Sequence, residues 1–305
     1  MNLRRLRNGE PLVPRVLARL ELELNPRLAP LRARRLERLN ATSDRHVTGD
    51  APVVVSLTTY GARFATVHLT VEAIAQGTRR PRRVVLWLDD RRLLDAPTPG
   101  LQRLVERGLE IRMAERNDGP HTKYVPLLSD PDLGAGDVMV TADDDVLYPR
   151  RWLARLEAAA RRDPQTVHCY RAYRVRTRPD GTLAPYRTWR PALSTQARFD
   201  NFATGVSGVA YPPVMVEALR AAGTRFRDCT PHADDVWLHA VAVESGVRVR
   251  QLARQPRHFP VVPGSQASGL RNANVTADGN DPQIRATYSA QALQRLGAAR
   301  GVTAG

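Results

Sequence analysis

Lysine is almost missing from this chain. Of 46 basic residues only Lys123 is a lysine, and the rest are arginine. A skew of this kind fits a high-GC coding bias and carries no chemistry by itself, but it singles out the one lysine that remains. Cysteine is equally scarce. Cys169 and Cys229 stand 60 residues apart with no CxxC or Cys/His spacing, which argues against a zinc module or a disulfide scaffold. Both read as small buried thiols in a reducing compartment. No stretch approaches the ~20 apolar residues of a membrane helix. Glycine-rich phosphate loops are missing too: the first strand-end segment, "SLTTYGAR", holds only Gly61. That argues against nucleotidyl transfer, one rival reading.

What is present is a soluble, globular composition, 42% hydrophobic and 25% charged. The length of 305 residues suits one domain with a tail. The net charge of +15 favours polyanionic partners such as nucleic acid, anionic lipid or phosphate-bearing small molecules. A nucleic-acid-binding protein is therefore a second rival, but the arginines are spread along the chain rather than gathered with interleaved aromatics. The start, "MNLRRLRNGEPLVPRVLARL", is basic yet lacks a continuous apolar core, so no secretory signal is expected. The expected location is cytoplasmic, free or peripheral on the inner face of the plasma membrane.

Residues 1–47 form a basic helical arm, with leucines at spacings of three and four in "RVLARLELEL" and "LRARRLERL". Prolines 11, 14, 26 and 30 are expected to keep its helices short. The arm either packs on the rest of the chain or rests on anionic lipid as an amphipathic helix.

From residue 52 the pattern becomes α/β. "PVVVSLT" is a β-branched run that reads as a buried strand. "ATVHLTVEAIAQG" has helical spacing and ends at Gly77. "RRVVLWLDD", "LEIRM" and "GDVMVTADDD" supply three more strands, with helical segments near 99–107 and 121–129. This alternation predicts a mostly parallel sheet with helices on both faces. Further on, "TVHCYRAYRV", "GVSGVAYPP" and "VRVRQL" read as strands, "PHADDVWLHAVAVESG" as a helix and 281–297 as a last helix. The Gly/Asn/Ser-rich stretch 263–281 has the length of a lid.

Three strand ends carry polar chemistry: "SLTTYGAR", "LDD" and "ADDD". Ligands in such sheets bind beyond the carboxyl ends of the strands. If the fourth strand continues through the aspartates, Asp143 and Asp145 point one way and Asp144 the other. Two carboxylates on one side suit a hard divalent cation, which also relieves their repulsion. The competing reading is an acidic turn that caps the next helix.

In this order, "VVVSLTTYGAR", "VVLWLDD", "GPHTKY", "VMVTADDDVLYP" and "PHADDVW" resemble nucleotide-sugar glycosyltransferases of the GT-A fold. The chain is most similar to bacterial family 2-like enzymes of surface-polysaccharide synthesis, over about residues 52–260. The resemblance implies a Rossmann-like GT-A domain over 48–305, with a nucleotide-binding half at 52–150, an acceptor half at 151–262 and a loop and C-terminal helix at 263–305. It implies a nucleotide-diphosphate sugar donor, a saccharide or lipid-linked acceptor, and Mn²⁺ or Mg²⁺ as cofactor. Thr58, Thr59, Tyr60 and Arg63 would then line the nucleotide pocket, and Asp89 or Asp90 would contact the base. Asp143 would lie towards the ribose and Asp145 on the metal. The run is D-D-D, with Asp144 between, so the frame is open by one residue. Asp235, with Asp234 second, would be the base, and a carboxylate base favours inversion. His258 is a further metal-ligand candidate, as in some GT-A enzymes.

Other residues carry weaker signals. Lys123 opens a helix after a strand end, where a compact ammonium beside a diphosphate would suit. His121 next to it reads as structural. His232 and His239 are too far apart on a helix for one metal ion, ~10 Å along the axis. Asp235 and His239 are four apart and could pair. Trp237 reads as core. Gly205 and Gly208 sit where glycine allows close approach of a ligand, or form an ordinary bulge.

Overall fold

A computed structural model describes residues 12–265 and 279–301, without the side chains of 12–22 and 299–301. The strands are β1 (Ala51–Thr58), β2 (Pro81–Leu88), β3 (Leu109–Met113), β4 (Val138–Thr141), β5 (Thr166–Cys169), β6 (Ala172–Arg174), β7 (Arg190–Pro191), β8 (Asn201–Ala203), β9 (Val209–Tyr211) and β10 (Arg248–Gln251). Seven of them form one sheet in the order β10-β5-β9-β4-β1-β2-β3, and β7-β6-β8 form a small second sheet. In the large sheet β1, β2, β3 and β4 pair in parallel, as do β5 and β10, and only β9 runs antiparallel to its neighbours. The architecture is mixed α/β with a mostly parallel sheet, as the strand–helix alternation predicts.

The helices are α1 (Leu12–Thr42), α2 (Val67–Ala75), α3 (Arg91–Asp95), α4 (Pro99–Glu106), α5 (Val125–Leu128), α6 (Trp152–Arg162), α7 (Pro213–Ala222), α8 (Phe226–Cys229), α9 (Asp234–Glu244), α10 (Asn280–Thr287) and α11 (Ala290–Gly301). Strand periodicity divides them between two faces. Val53, Val55 and Leu57 of β1 face Val71, Ile74, Leu101, Leu104, Trp152 and Leu156, from α2, α4 and α6. Val54, Val85, Trp87 and Met139 face Leu127, Met215, Leu219, Trp237 and Val241, from α5, α7 and α9. The continuous apolar strands are thus buried on both sides.

Several local expectations change. The arm's prolines do not break it: Pro26 and Pro30 lie inside one 31-residue helix. Both are exposed, so the carbonyls they leave unpaired can turn to water. Helix α1 docks through Ala29, Leu36 and Asn40, with Leu36 clustering against Leu69, Ala73, Leu147 and Val262. The 121–129 segment is a 3₁₀ turn, Gly119–Lys123, followed by the short α5. The single helix expected at 281–297 is two, because the chain turns at Tyr288 to place its hydroxyl 2.6 Å from His239 Nδ1. His239 Nε2–H donates to the Phe199 carbonyl at 2.8 Å, so it does not pair with Asp235. Trp237 is core, 1% exposed. Cys169 is buried, and that burial pushes its thiol up to about 12, but Cys229 is only partly covered. Most of the 263–281 stretch lies outside the described residues.

Candidate active site

The carboxyl ends of β1 and β4 open into a cleft of about 510 Å³. That size suits a drug-sized or nucleotide-sized ligand. The cleft is lined by Thr58, Tyr60, Arg63, Lys123, all three of Asp143, Asp144 and Asp145, and by Asp234 and Asp235 from the start of α9.

Strand β4 ends at Thr141, so the three aspartates form a turn rather than a continued strand. The in-and-out alternation expected for them therefore does not hold. Tyr148, stacked on Trp152 at 4.1 Å, accepts from the Asp143 backbone N–H at 2.9 Å and shapes this turn. Asp144 accepts from Thr59 Oγ1 at 2.7 Å and from Arg63 at 2.8 Å. Arg63 also reaches Asp145 at 3.2 Å, and Ser265 Oγ donates to Asp145 at 3.1 Å.

Lys123 sits at the centre. Ser56 in β1 donates to its carbonyl at 2.6 Å and fixes the turn that carries it. Its Nζ lies 3.0 Å from Asp143 and 3.1 Å from Asp234, joining the β4 turn to α9. Burial works against the ammonium, but Asp143, Asp234 and Asp235 outweigh it and keep the lysine charged. Asp235 accepts from the Gly205 N–H at 2.9 Å. Its carboxyl is pushed up to about 8, first by burial and then by Asp234, against the pull of Lys123. A Cβ on Gly205 would stand 3.3 Å from that carboxylate and 3.5 Å from Lys123 Nζ, so this glycine permits the close approach.

Burial, then Asp143, hold Asp145 up at about 6 despite Arg63. Five carboxylates at this end thus face two cations, Arg63 and Lys123. A divalent cation would offset that excess, and an all-oxygen donor set suits Mg²⁺ or Mn²⁺. Among the described residues no three His, Cys, Asp or Glu form a closed cage. An ion here would rest on Asp143 and Asp145 and complete its shell from water and ligand phosphate, which is the common habit of Mg²⁺.

Other candidates lie elsewhere. His258 does not line the cleft; its carbonyl accepts from Asn25 of α1 at 2.7 Å, and its segment is tied to the arm. Asp90 caps α3 through the Arg92 N–H at 3.0 Å and pairs with the Arg92 side chain in solvent. Neither Asp89 nor Asp90 lines the cleft. Gly208 has φ +87, and a Cβ there would stand 2.6 Å from the Trp152 indole. Its small size serves that packing. Thr59 acts behind the wall, on Asp144.

One group was not singled out from the sequence. The cleft's other wall carries Arg171, Tyr173, Tyr186, Arg187, Trp189, Phe202, Thr204 and Asn280. The signal that could have found it is the alternation of arginine with aromatics in "YRAYR" and "PYRTWRP".

No protein-family model and no curated protein sequence matches the chain. Among solved structures, GalNAc-T7 with UDP, GalNAc and Mn²⁺ is similar at 13% identity and a TM-score of 0.49, over 72% of this chain. The match covers 45% of the GalNAc-T7 chain, so this chain spans less than half of it. A mannosyltransferase from Pyrobaculum calidifontis, with GDP-Man and Mn²⁺, is similar at 18% identity and a TM-score of 0.43, over 95% of this chain and 86% of that one. A 4-diphosphocytidyl-2C-methyl-D-erythritol synthase is similar at 11% identity and a TM-score of 0.41, over 67% and 90%.

Proposed function

We propose that this chain is a metal-dependent glycosyltransferase of GT-A type that moves a sugar from a nucleotide-diphosphate donor to a hydroxyl acceptor. The observation that carries the reading is the Lys123 bridge, which gathers the acidic turn after β4 and the acids that open α9 into one cleft. Those are the motifs that the family resemblance marks as donor site and base.

Thr58, Tyr60 and Arg63 would line the nucleotide, with Arg63 also holding Asp144 and Asp145 in place. Asp143 and Asp145 would hold Mn²⁺ or Mg²⁺, whose chemistry here is charge stabilisation of a departing diphosphate. Lys123 adds a fixed positive charge on the same side. Asp235 is the better base of the two α9 acids, since Asp234 is engaged by Lys123. A raised pKa matches a base working near neutral pH. One carboxylate acting on the acceptor hydroxyl implies a single displacement with inversion. Nucleotidyl transfer fits less well, because the turn after β1 offers one glycine and no phosphate-cradling loop.

We further propose a role in cell-surface polysaccharide or glycolipid synthesis, with α1 resting on anionic lipid. Leu24, Leu28 and Leu31 are 42%, 50% and 64% exposed and lie on one face of α1, away from the buried Ala29, Leu36 and Asn40. Arg27, Arg34, Arg35 and Arg38 are exposed beside them. No helix among the described residues is long and apolar enough to cross a membrane.

The test is a panel of UDP-, GDP-, CMP- and dTDP-sugars screened for thermal stabilisation with and without Mn²⁺. One donor is expected to raise Tm only with the metal, and Asp143→Asn or Asp145→Asn is expected to remove that shift. If no donor produces a metal-linked shift, the enzyme reading fails.

A further inference from the structure

The wall opposite the acidic turn is built for a ligand of its own. It comes from the small sheet, β6 and β8, from the 3₁₀ turn Tyr186–Thr188 and from the start of α10. Trp189 and Phe202 are buried behind it, 5.2 Å apart, and support Tyr173 and Tyr186, which are only partly covered and present ring surface to the cleft. Partly covered aromatic rings suit the apolar face of a sugar.

Three buried polar atoms of this wall lack a hydrogen-bond partner among the described residues: Arg171 Nε, Thr204 Oγ1 and Asn280 Oδ1. Thr204 and Asn280 are only 5% and 7% exposed. Buried polar groups left unpaired are costly, and such groups lining a cleft point to a missing ligand. Together they offer a charged donor, a hydroxyl and an amide acceptor, which is a set for a polyhydroxylated molecule.

The charge on this wall is the reverse of the other. Arg171 lies 5.2 Å over the Tyr173 ring and donates Nη2–H to the Tyr173 hydroxyl at 2.8 Å, which fixes its plane and leaves Nε–H free. It has no carboxylate partner among the described residues. Arg187 stands exposed on the same wall, also with no carboxylate among the described residues. Two guanidiniums without counter-charge beside an unfilled hydrogen-bonding set exceed what a neutral sugar would use.

We infer that the acceptor is an anionic saccharide, whose ring lies on Tyr173 and Tyr186 and whose phosphate or carboxylate is held by Arg171 and Arg187. This rests on the glycosyltransferase reading for the word acceptor, and on the wall itself for the anionic sugar. The planar guanidinium can meet either anion in two parallel hydrogen bonds.

The test is calorimetric binding of glucose 6-phosphate, glucuronate and methyl glucoside to the full chain, alone and with UDP or GDP plus Mn²⁺. At least one anionic sugar is expected to bind about tenfold or more tightly than methyl glucoside, with the gap narrowing as salt rises. A preference for glucose 6-phosphate alone identifies a phosphate-bearing acceptor, and a preference for glucuronate alone a uronic acid. Arg171→Gln and Arg187→Gln should each erase most of the preference for the anionic sugar while leaving nucleotide affinity within about twofold. Equal affinity for charged and neutral sugars, or no binding of any, overturns the inference. So does an equal loss of nucleotide affinity in the arginine variants, which would place the donor diphosphate on this wall. If no nucleotide binds the wild type while the charge preference persists, the glycosyltransferase reading fails and the anionic-sugar site stands.

Discussion

Asp235 keeps its proton to about pH 8 in the folded chain, against an ordinary value of 3.8, because it is buried and stands beside Asp234. Between those values the folded chain binds a proton that the unfolded chain does not. Stability contributed by this carboxyl is therefore complete below pH 3.8 and is lost as pH rises towards about 8. Asp235→Asn mimics the protonated acid and can still accept from Gly205. It should flatten this slope and raise Tm at alkaline pH, while lowering kcat about 10²–10⁴-fold if the carboxylate is the base. If Asp235 is the base, kcat/KM of the wild type should climb as pH approaches about 8, where its carboxyl loses its proton. Calorimetry and pH–rate profiles of both proteins check this, and an unchanged slope in the variant would refute the burial argument. At this scale much of the candidate site was legible: Asp143, Asp145, Lys123 and Asp235, polar groups at strand and helix ends in the sequence, line one cleft. Gly208 and His258 lie outside the cleft lining, and a glycine that admits Trp152 and one that admits a ligand look alike in one dimension.

Helix α2 carries a different kind of surprise. All nine of its residues are buried, including Glu72 at 0% exposure. Glu72 forms an ion pair with the buried Arg107 and accepts from Gln76 at 2.7 Å and from Asn40 of α1 at 3.4 Å. One carboxylate thus ties α1 and α2 to the end of α4. Glu72→Ala should cost about 3–5 kcal/mol in urea unfolding, since Arg107 is left buried and unpaired. Replacing both partners with apolar residues of similar volume should recover most of that loss. A cost below about 1 kcal/mol for Glu72→Ala would mean that Arg107 swings out to water. Helix existence was legible from spacing here, but the partner was not, because Arg107 is 35 residues away. The same limit explains α1, whose prolines are tolerated only because they face solvent.

The whole molecule is strongly basic, with a net charge of +15, yet its cleft has an acidic wall. Under the proposed function, positive charge outside and carboxylates inside would separate two tasks: attraction to an anionic surface and retention of a metal–diphosphate pair. The chain should sediment with phosphatidylglycerol vesicles and not with phosphatidylcholine vesicles. That binding should weaken as ionic strength rises, each arginine near the surface contributing about 1 kcal/mol. Replacing Leu24, Leu28 and Leu31 with serine should abolish it without changing Tm by more than about a degree, because these side chains are exposed. Equal binding to both vesicle types would sink the membrane proposal.

Periodicity and strand-end chemistry are local properties, and by themselves they determined the α/β class, the mostly parallel sheet and the acidic strand end. The tertiary structure alone decided which charges meet. Arg63 with Asp144, Lys123 with both Asp143 and Asp234, and the arginine–aromatic wall facing them all depend on segments distant in sequence. Arg63 meets Asp144 because β1 and β4 lie side by side, while β9, inserted antiparallel between β4 and β5, brings the second half of the chain, with Asp234 and the arginine–aromatic wall, against the first. Long-range contacts of that kind leave no periodic trace in the residues that make them.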